Sequence, residues 1–266
     1  MWSFLNTGYS SGAVNMAVDE MLARNLSGSD TDGTVRVYGW SPPCVSLGYH
    51  QSIEMLDVDR LRREGIGVVR RPTGGRAILH WQELTYSVVV RANGLSLSEA
   101  YHRIGVALAR GLRHLNCEIS LAKPDARAVQ AVRPTIAIPC YASTARFEIQ
   151  YRGKKLVGSA QRRYNFPRGE SRENSSEFDE VVLQHGSILI GPAHRRLAEF
   201  LALGTGADTT AVARELEEKS TELSTILGRP VEFEEVAECI RLGFEEEWGI
   251  DFSRVFEETE YPLSIH

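Results

Sequence analysis

Apolar positions along the chain alternate between a helical and a strand repeat, and the switches divide it into elements. Val14, Ala17, Val18, Met21 and Leu22 fall at i, i+3, i+4, i+7 and i+8, the spacing of one helix face. Short β-branched runs follow at 35–38, 45–47 and 66–70, with a helix over about 57–64 that ends at Gly65. Two strands, 67–70 and 77–80, flank the turn Pro72-Thr73-Gly74-Gly75, and a third runs over 84–90. Ser96 and Glu99 make a capping box for a long helix reaching about Leu115. Residues 122–139 carry three prolines and little periodicity, which predicts a long loop delivering Cys140. Phe147, Ile149 and Tyr151 alternate with Glu148, Gln150 and Arg152, and Gly153 turns the chain into a second strand from Lys155, a hairpin. Residues 164–180 are polar and read as an excursion before a strand over 181–190. The last seventy or so residues are helical in pattern, broken at Gly228-Arg229-Pro230. On pattern alone the class is mixed α/β, with neither internal repeats nor low-complexity tracts.

Composition narrows the class. A chain of 266 residues, 42% hydrophobic and 24% charged, can bury a sizeable core. We expect a catalytic core over 1–191 with a small helical extension over 192–266 packed on it. No apolar run approaches a membrane span and the first residues lack the pattern of a signal peptide, so a cytoplasmic protein without a membrane partner is expected. The net charge of −5 argues against a nucleic-acid partner. Arg152, Lys154, Lys155, Arg162, Arg163 and Arg168 bunch locally, as a solvated face or a surface for an acidic partner protein. Cys44, Cys117, Cys140 and Cys239 are far apart with no CxxC pair, which predicts free thiols and no metal site.

The turn Arg70-Arg71-Pro72-Thr73-Gly74-Gly75-Arg76-Ala77 is the first candidate for binding chemistry. Two successive glycines let backbone N–H groups approach a ligand, and flanking arginines favour an anionic or carbonyl-rich one. A plain glycine turn with surface arginines fits equally well on these residues alone. The sequence from Arg70 through Ala77, Ile78, Leu79 and His80, followed by Glu83-Leu84-Thr85-Tyr86-Ser87, closely resembles the signature of lipoate–protein ligases and the octanoyltransferases related to them. The resemblance extends to Asn15-Met16-Ala17-Val18-Asp19-Glu20, to Val45-Ser46-Leu47-Gly48 with Gln51, to Lys155-Leu156-Val157-Gly158-Ser159-Ala160-Gln161 and to Gln184-His185-Gly186-Ser187-Ile188-Leu189, in the family's order.

The resemblance implies a single α/β (α+β) catalytic domain of the biotinyl/lipoyl protein ligase type, a mixed sheet flanked by helices. It also implies an acyl site formed by Arg71, Thr73, Gly74, Gly75, Arg76, Ala77, His80, Gly158, Ser159 and Ala160, with His185 either lining it or structural. The surroundings of Cys140, from Pro139 and Tyr141 to Phe147 and Glu148, are similar to the nucleophile region of the cysteine-dependent octanoyltransferases, fifteen residues before Lys155. Cys140 is then the acyl-thioester nucleophile, and Lys155 lowers its thiol pKa and stabilises the acyl carbonyl. Thiol exchange followed by amine attack needs neither ATP nor metal, so no cofactor is expected. The ending at His266, without the accessory domain of larger ligases, points the same way. The implied donor is octanoyl-acyl carrier protein. The implied acceptor is a lysine of glycine cleavage H protein or of a lipoyl domain of a 2-oxoacid dehydrogenase, with the enzyme a monomer. An ATP-dependent lipoate ligase, an amidotransferase between lipoyl proteins and a non-catalytic acyl-binding protein remain as alternatives.

Overall fold

The structure, a computed structural model, describes residues 1–122, 148–167, 178–202 and 209–252. In chain order the first half contains β1 (Trp2–Ser10), α1 (Gly12–Leu26), β2 (Gly33–Trp40), β3 (Cys44–Leu47), α2 (Val58–Arg63), β4 (Gly67–Arg70), β5 (Ile78–His80), β6 (Glu83–Arg91), α3 (Leu97–Arg113) and β7 (Ser120–Leu121). The second half contains β8 (Ile149–Tyr151), β9 (Lys154–Lys155), β10 (Val157–Pro167), β11 (Phe178–Leu189), α4 (Thr209–Lys219), α5 (Leu223–Leu227) and α6 (Phe233–Trp248).

Five strands make the main sheet in the order β1-β2-β6-β11-β10, with β1 parallel to β2 and the remaining pairs antiparallel. Because side chains alternate across a strand, each central strand supplies two faces. Leu84, Tyr86 and Val88 of β6 enter the main core with Ile104, Leu108 and Leu112 of α3 and Ile240 and Phe244 of α6. Val89 belongs to the opposite face, packed with Ala23 and Leu26 of α1 and Leu183 of β11. A second sheet has the order β4-β3-β5, and a third, β7-β8-β9, carries the hairpin at Gly153.

The capping box starts α3 as the sequence predicts, the Ser96 hydroxyl and the Glu99 carboxylate each satisfying the other residue's backbone N–H. Asp57 caps α2, and Gly65 with φ 69° follows its last turn. No described helix is long and apolar enough to cross a membrane.

Four features depart from the sequence pattern. β1 was hidden because Gly8, at φ 58°, interrupts its alternation, and its register with β2 shifts between Asn6 and Tyr9. The strands flanking the glycine turn do not pair with each other. Both pair with β3, β4 parallel and β5 antiparallel, so the turn carries the chain across the end of that strand. The hairpin's second strand is split: Lys154–Lys155 pairs with β8, then the chain changes sheets at Leu156 and Val157–Pro167 pairs with β11. The polar stretch from Tyr164 is therefore strand as far as Pro167, its composition reflecting an edge position where half of each residue meets solvent.

Helices α3 and α6 cross at glycines. A Cβ on Gly243 would lie 2.3 Å from the Gly111 nitrogen and 2.5 Å from the Ala107 carbonyl oxygen, and one on Gly111 would lie 2.4 Å from the Cys239 carbonyl oxygen. These obstacles are backbone and do not rotate away. Gly243→Ala is expected to cost about 1–3 kcal/mol in urea denaturation, despite alanine's better helix propensity, and Gly243→Leu more.

Candidate active site

One face of the main sheet carries two polar rows where the surrounding pattern is apolar. Ala160, His185, Ser87 and Arg36 are lateral neighbours on β10, β11, β6 and β2, and Gly158, Ser187, Thr85 and Tyr38 form the adjacent row. This face is the floor of a narrow pocket. Its other walls come from Ser46 of β3, Ile78 and His80 of β5, Arg71 after β4, and Met16 of α1.

Asp19 of α1 organises the first row. Its carboxylate is inaccessible to solvent, with Oδ1 2.7 Å from Arg36 Nη1 and 2.8 Å from the Ser87 hydroxyl. Oδ2 accepts from the Tyr38 hydroxyl at 2.9 Å and lies 3.1 Å from His185 Nδ1. Arg36 also donates to the Asn15 side chain and carbonyl and stacks on Tyr38. Burial pushes the Asp19 carboxyl up, but the Arg36 guanidinium and the hydrogen bonds from His185 and Ser87 outweigh it, and the net shift is down.

His185 passes this order to the glycine turn, its Nε2 lying 2.6 Å from the Thr73 hydroxyl. Desolvation is the main reason its pKa is lowered from the usual 6.5, with Arg71 and His80 adding to the effect and Asp19 opposing it. His80 has a second carboxylate: Nδ1 is 2.8 Å from Glu83 Oε1 and Nε2 is 2.7 Å from the Ser46 hydroxyl. The same Glu83 oxygen accepts from Thr85 and from Ser187 at 2.7 Å.

Arg71 flanks the turn expected to favour an anionic or carbonyl-rich guest. Instead Nε and Nη2 donate to the Gly74 carbonyl, Nη2 to the Arg76 carbonyl, and Nη1 to the Ser46 carbonyl and hydroxyl, all within 2.7–3.1 Å. Through these contacts, all within the described residues, Arg71 clamps the turn, and it also lines the pocket. The turn is locked from the other side as well. Tyr49 N–H donates to the Thr73 carbonyl, and a Cβ on Gly48 would meet the Gly75 carbonyl oxygen at 2.0 Å, which explains a glycine there. Gly75 itself has φ 93°.

Of the expected site residues, Arg71, His80, Gly158, Ser159 and Ala160 meet at the pocket. Thr73, Gly74, Gly75, Arg76 and Ala77 support its wall from the turn. Lys155 is buried one strand earlier and does not line the pocket, its Nζ 2.5 Å from Glu148 Oε1. Cys140 lies outside the described residues. Cys44, Cys117 and Cys239 are buried free thiols, and burial raises all three, Cys44 to about 12. Of the basic bunch, Arg152 is exposed over the Tyr151 ring, and the other described members hold partners in the same chain, Lys154 from an exposed position. Lys154 donates to the Glu217 carbonyl, Arg162 to the Pro72 carbonyl, and Arg163 to Glu180 and the Leu95 carbonyl, while Arg168 lies outside the described residues.

Residues 11–245 match the lipoyl protein ligase A/B catalytic domain. The chain belongs to that family. It is 40% identical over 253 residues to the octanoyltransferase LipM of Kyrpidia tusciae, covering 93% of this chain and 87% of that one. It is 36% identical over 252 residues to the LipM of Symbiobacterium thermophilum, covering 94% and 87%. Among solved structures, the bipartite lipoate protein ligase of Thermoplasma acidophilum superposes with a TM-score of 0.72 at 22% identity, over 98% of this chain and 88% of that one. A lipoate–protein ligase A bound with ATP gives 0.70 at 22% identity, over 98% and 90%. These structural likenesses establish the mixed α/β fold of the family.

Met16, Tyr38, Ser46, Thr85, Gly186 and Ser187 line the pocket but were not named as site residues, although all but Tyr38 stand in the segments that carry the family resemblance.

Two measurements test the network. Arg36→Met strands the Asp19 carboxylate and is expected to cost about 3–5 kcal/mol in chemical denaturation. The pH dependence follows from His185. The unfolded chain takes up a proton near 6.5 and the folded chain only at lower pH, so this contribution is complete above 6.5 and declines as pH falls. The lowered Asp19 adds a loss of the same sign in stronger acid. The urea midpoint is expected to drop between pH 7 and 5, with a shallower drop in His185→Gln.

Proposed function

We propose that the protein is an octanoyltransferase of lipoate biosynthesis, carrying an octanoyl group on Cys140 between octanoyl-acyl carrier protein and a lysine of an apo lipoyl-carrying protein in the cytoplasm, as a monomer. The observation that carries the reading is the kinship with octanoyltransferases named LipM at up to 40% identity over most of both chains. The pocket between the two sheets supports it, since its polar atoms are largely engaged with one another and the surface it exposes is mainly apolar.

In the first half-reaction the Cys140 thiolate attacks the donor thioester carbonyl. A new C–S bond forms, the old one breaks, and the phosphopantetheine thiolate leaves and takes up a proton. In the second, the neutral acceptor amine attacks. The C–N bond forms, the Cys140–acyl bond breaks, the amine's proton goes to solvent, and the thiolate returns. No redox or nucleotide co-reactant is needed. Lys155 brings a buried ammonium to the start of β10, the strand that supplies Gly158, Ser159 and Ala160 to the pocket. There it favours the thiolate and the developing oxyanion, while Glu148 orients it. Arg71, Thr73, Gly74, Gly75, Arg76 and Ala77 hold the pocket wall, and His80 lines it.

Incubation with octanoyl carrier protein alone is expected to add one octanoyl mass, labile to hydroxylamine and absent in Cys140→Ala. Acylation of a lipoyl domain only with ATP and free lipoate would identify a ligase instead. Lys155→Ala should raise the pH at which Cys140 alkylates, and an unchanged profile would remove its role. Because Lys155→Ala leaves Glu148 buried, it is also expected to cost about 3–5 kcal/mol, and the alkylation series is best run in the Glu148→Gln background, which relieves the stranded charge.

A further inference from the structure

Where the pocket wall ends at the glycine turn, a charged rim begins. Arg162 stands two residues beyond Ala160 on β10, on the same face of that strand, and its Nη1 donates to the Pro72 carbonyl of the turn. Its guanidinium carbon lies 5.0 Å from the Tyr49 ring and 4.7 Å from that of Tyr164. Arg70 precedes the turn, exposed, with Nη1 donating to the carbonyls of Gly48, Tyr49 and Gln51. Arg76 closes the turn in a half-buried position. In the loop that Arg70 holds, Tyr49 and Ile53 are 49% and 47% exposed, and the Tyr49 ring meets His50 at right angles, 4.9 Å between centroids.

Arg36, Arg60, Arg195, Arg196 and Arg241 each face a carboxylate. Among the described residues Arg70, Arg76 and Arg162 are paired with none, and the bonds of Arg70 and Arg162 to carbonyls fix their positions without cancelling their charge. The loop from Gly48 to Leu56 carries a single carboxylate, Glu54, so the rim as a whole is positive. Taken with the octanoyl-transfer reading, on which this inference rests, we propose that this rim is the docking surface for the acyl donor. Arg70, Arg76 and Arg162 meet the phosphodiester that joins the acyl-bearing arm to its carrier protein, together with acidic side chains around it. The charge selects the donor over the acceptor. A guanidinium binds a phosphate well, whereas the lysine ammonium that the acceptor brings is repelled by three arginines. Tyr49 and Ile53 supply the apolar contact at the centre of such a patch, and the arginines around it chiefly speed the encounter.

The test follows the two half-reactions separately by intact mass. The first is run with octanoyl carrier protein or with octanoyl-pantetheine, which has the thioester without phosphate or protein. The second starts from preformed octanoyl-enzyme and an apo lipoyl domain. Ile53→Glu and Arg162→Glu are expected to slow acylation by the carrier protein about tenfold, to alter acylation by octanoyl-pantetheine by less than about twofold, and to leave the second half-reaction unchanged. Arg162→Lys, which keeps the charge, should restore most of the rate. Added sodium chloride should slow acylation by the carrier protein less steeply in Arg162→Glu than in wild type. Ile53→Glu, at an exposed position, serves if Arg162→Glu does not fold. Equal losses with both donors, a loss confined to the second half-reaction, or no loss in folded variants overturns the proposal. Binding separates this inference from the function it builds on. If wild type forms no octanoyl-enzyme from either donor yet binds phosphopantetheinylated carrier protein about tenfold more tightly than Ile53→Glu does, the surface stands and the transfer reading falls. If wild type transfers octanoyl and the variants match it with carrier protein, the surface falls and the transfer reading stands.

Discussion

A carboxylate with no access to water dictates much of this architecture. Asp19 needs compensation for lost hydration, and it draws that from four residues on three strands: Arg36 and Tyr38 of β2, Ser87 of β6 and His185 of β11. Satisfying the carboxylate therefore fixes the docking of α1 on the sheet, and with it the position of Met16 at the pocket. His185 extends the constraint to Thr73, so a helix near the start of the chain sets the height of a turn more than fifty residues later. A second carboxylate does the same work nearby, with Glu83 gathering His80, Thr85 and Ser187. The pocket is what lies between these two polar networks.

Pattern reading recovered the elements whose periodicity is local. The α3 capping box, the α2 stop at Gly65 and the alternation of β6 need no knowledge of partners, because the chain's own turns and caps decide them. It failed where a long-range partner decides. β1 is held by its pairing with β2 in spite of the bulge at Gly8, and β4 and β5 are joined to β3 by the sheet and not by their turn. The polar half of β10 is strand because β11 provides a ladder for it, a fact that composition at an edge conceals.

The site divides along the same line. Glycines and the residues around them were legible as motifs, since close backbone approach leaves a mark on residue type, as at Gly48 against Gly75. Residue roles were less legible. Arg71 in a glycine turn suggests a site for an anionic or carbonyl-rich guest, and only the structure shows that its guanidinium holds the carbonyls of Gly74, Arg76 and Ser46. The cluster of six basic residues between 152 and 168 suggests a charged surface, and Arg152 and Lys154 are exposed, but Lys155, Arg162 and Arg163 are traced to carbonyls and carboxylates of the same chain. Charge can be counted in a sequence, but its compensation is visible only in three dimensions.

The Arg71 clamp has a consequence for the energetics of occupancy. A buried cation whose donors waited for substrate would have to shed water, or sit unsatisfied, each time the pocket filled or emptied. Here the carbonyls of Gly74, Arg76 and Ser46 hold the guanidinium before any ligand arrives, so much of its dehydration is settled during folding. A ligand entering beside it meets a guanidinium that already holds its carbonyl partners, so this side chain needs no further ordering on binding.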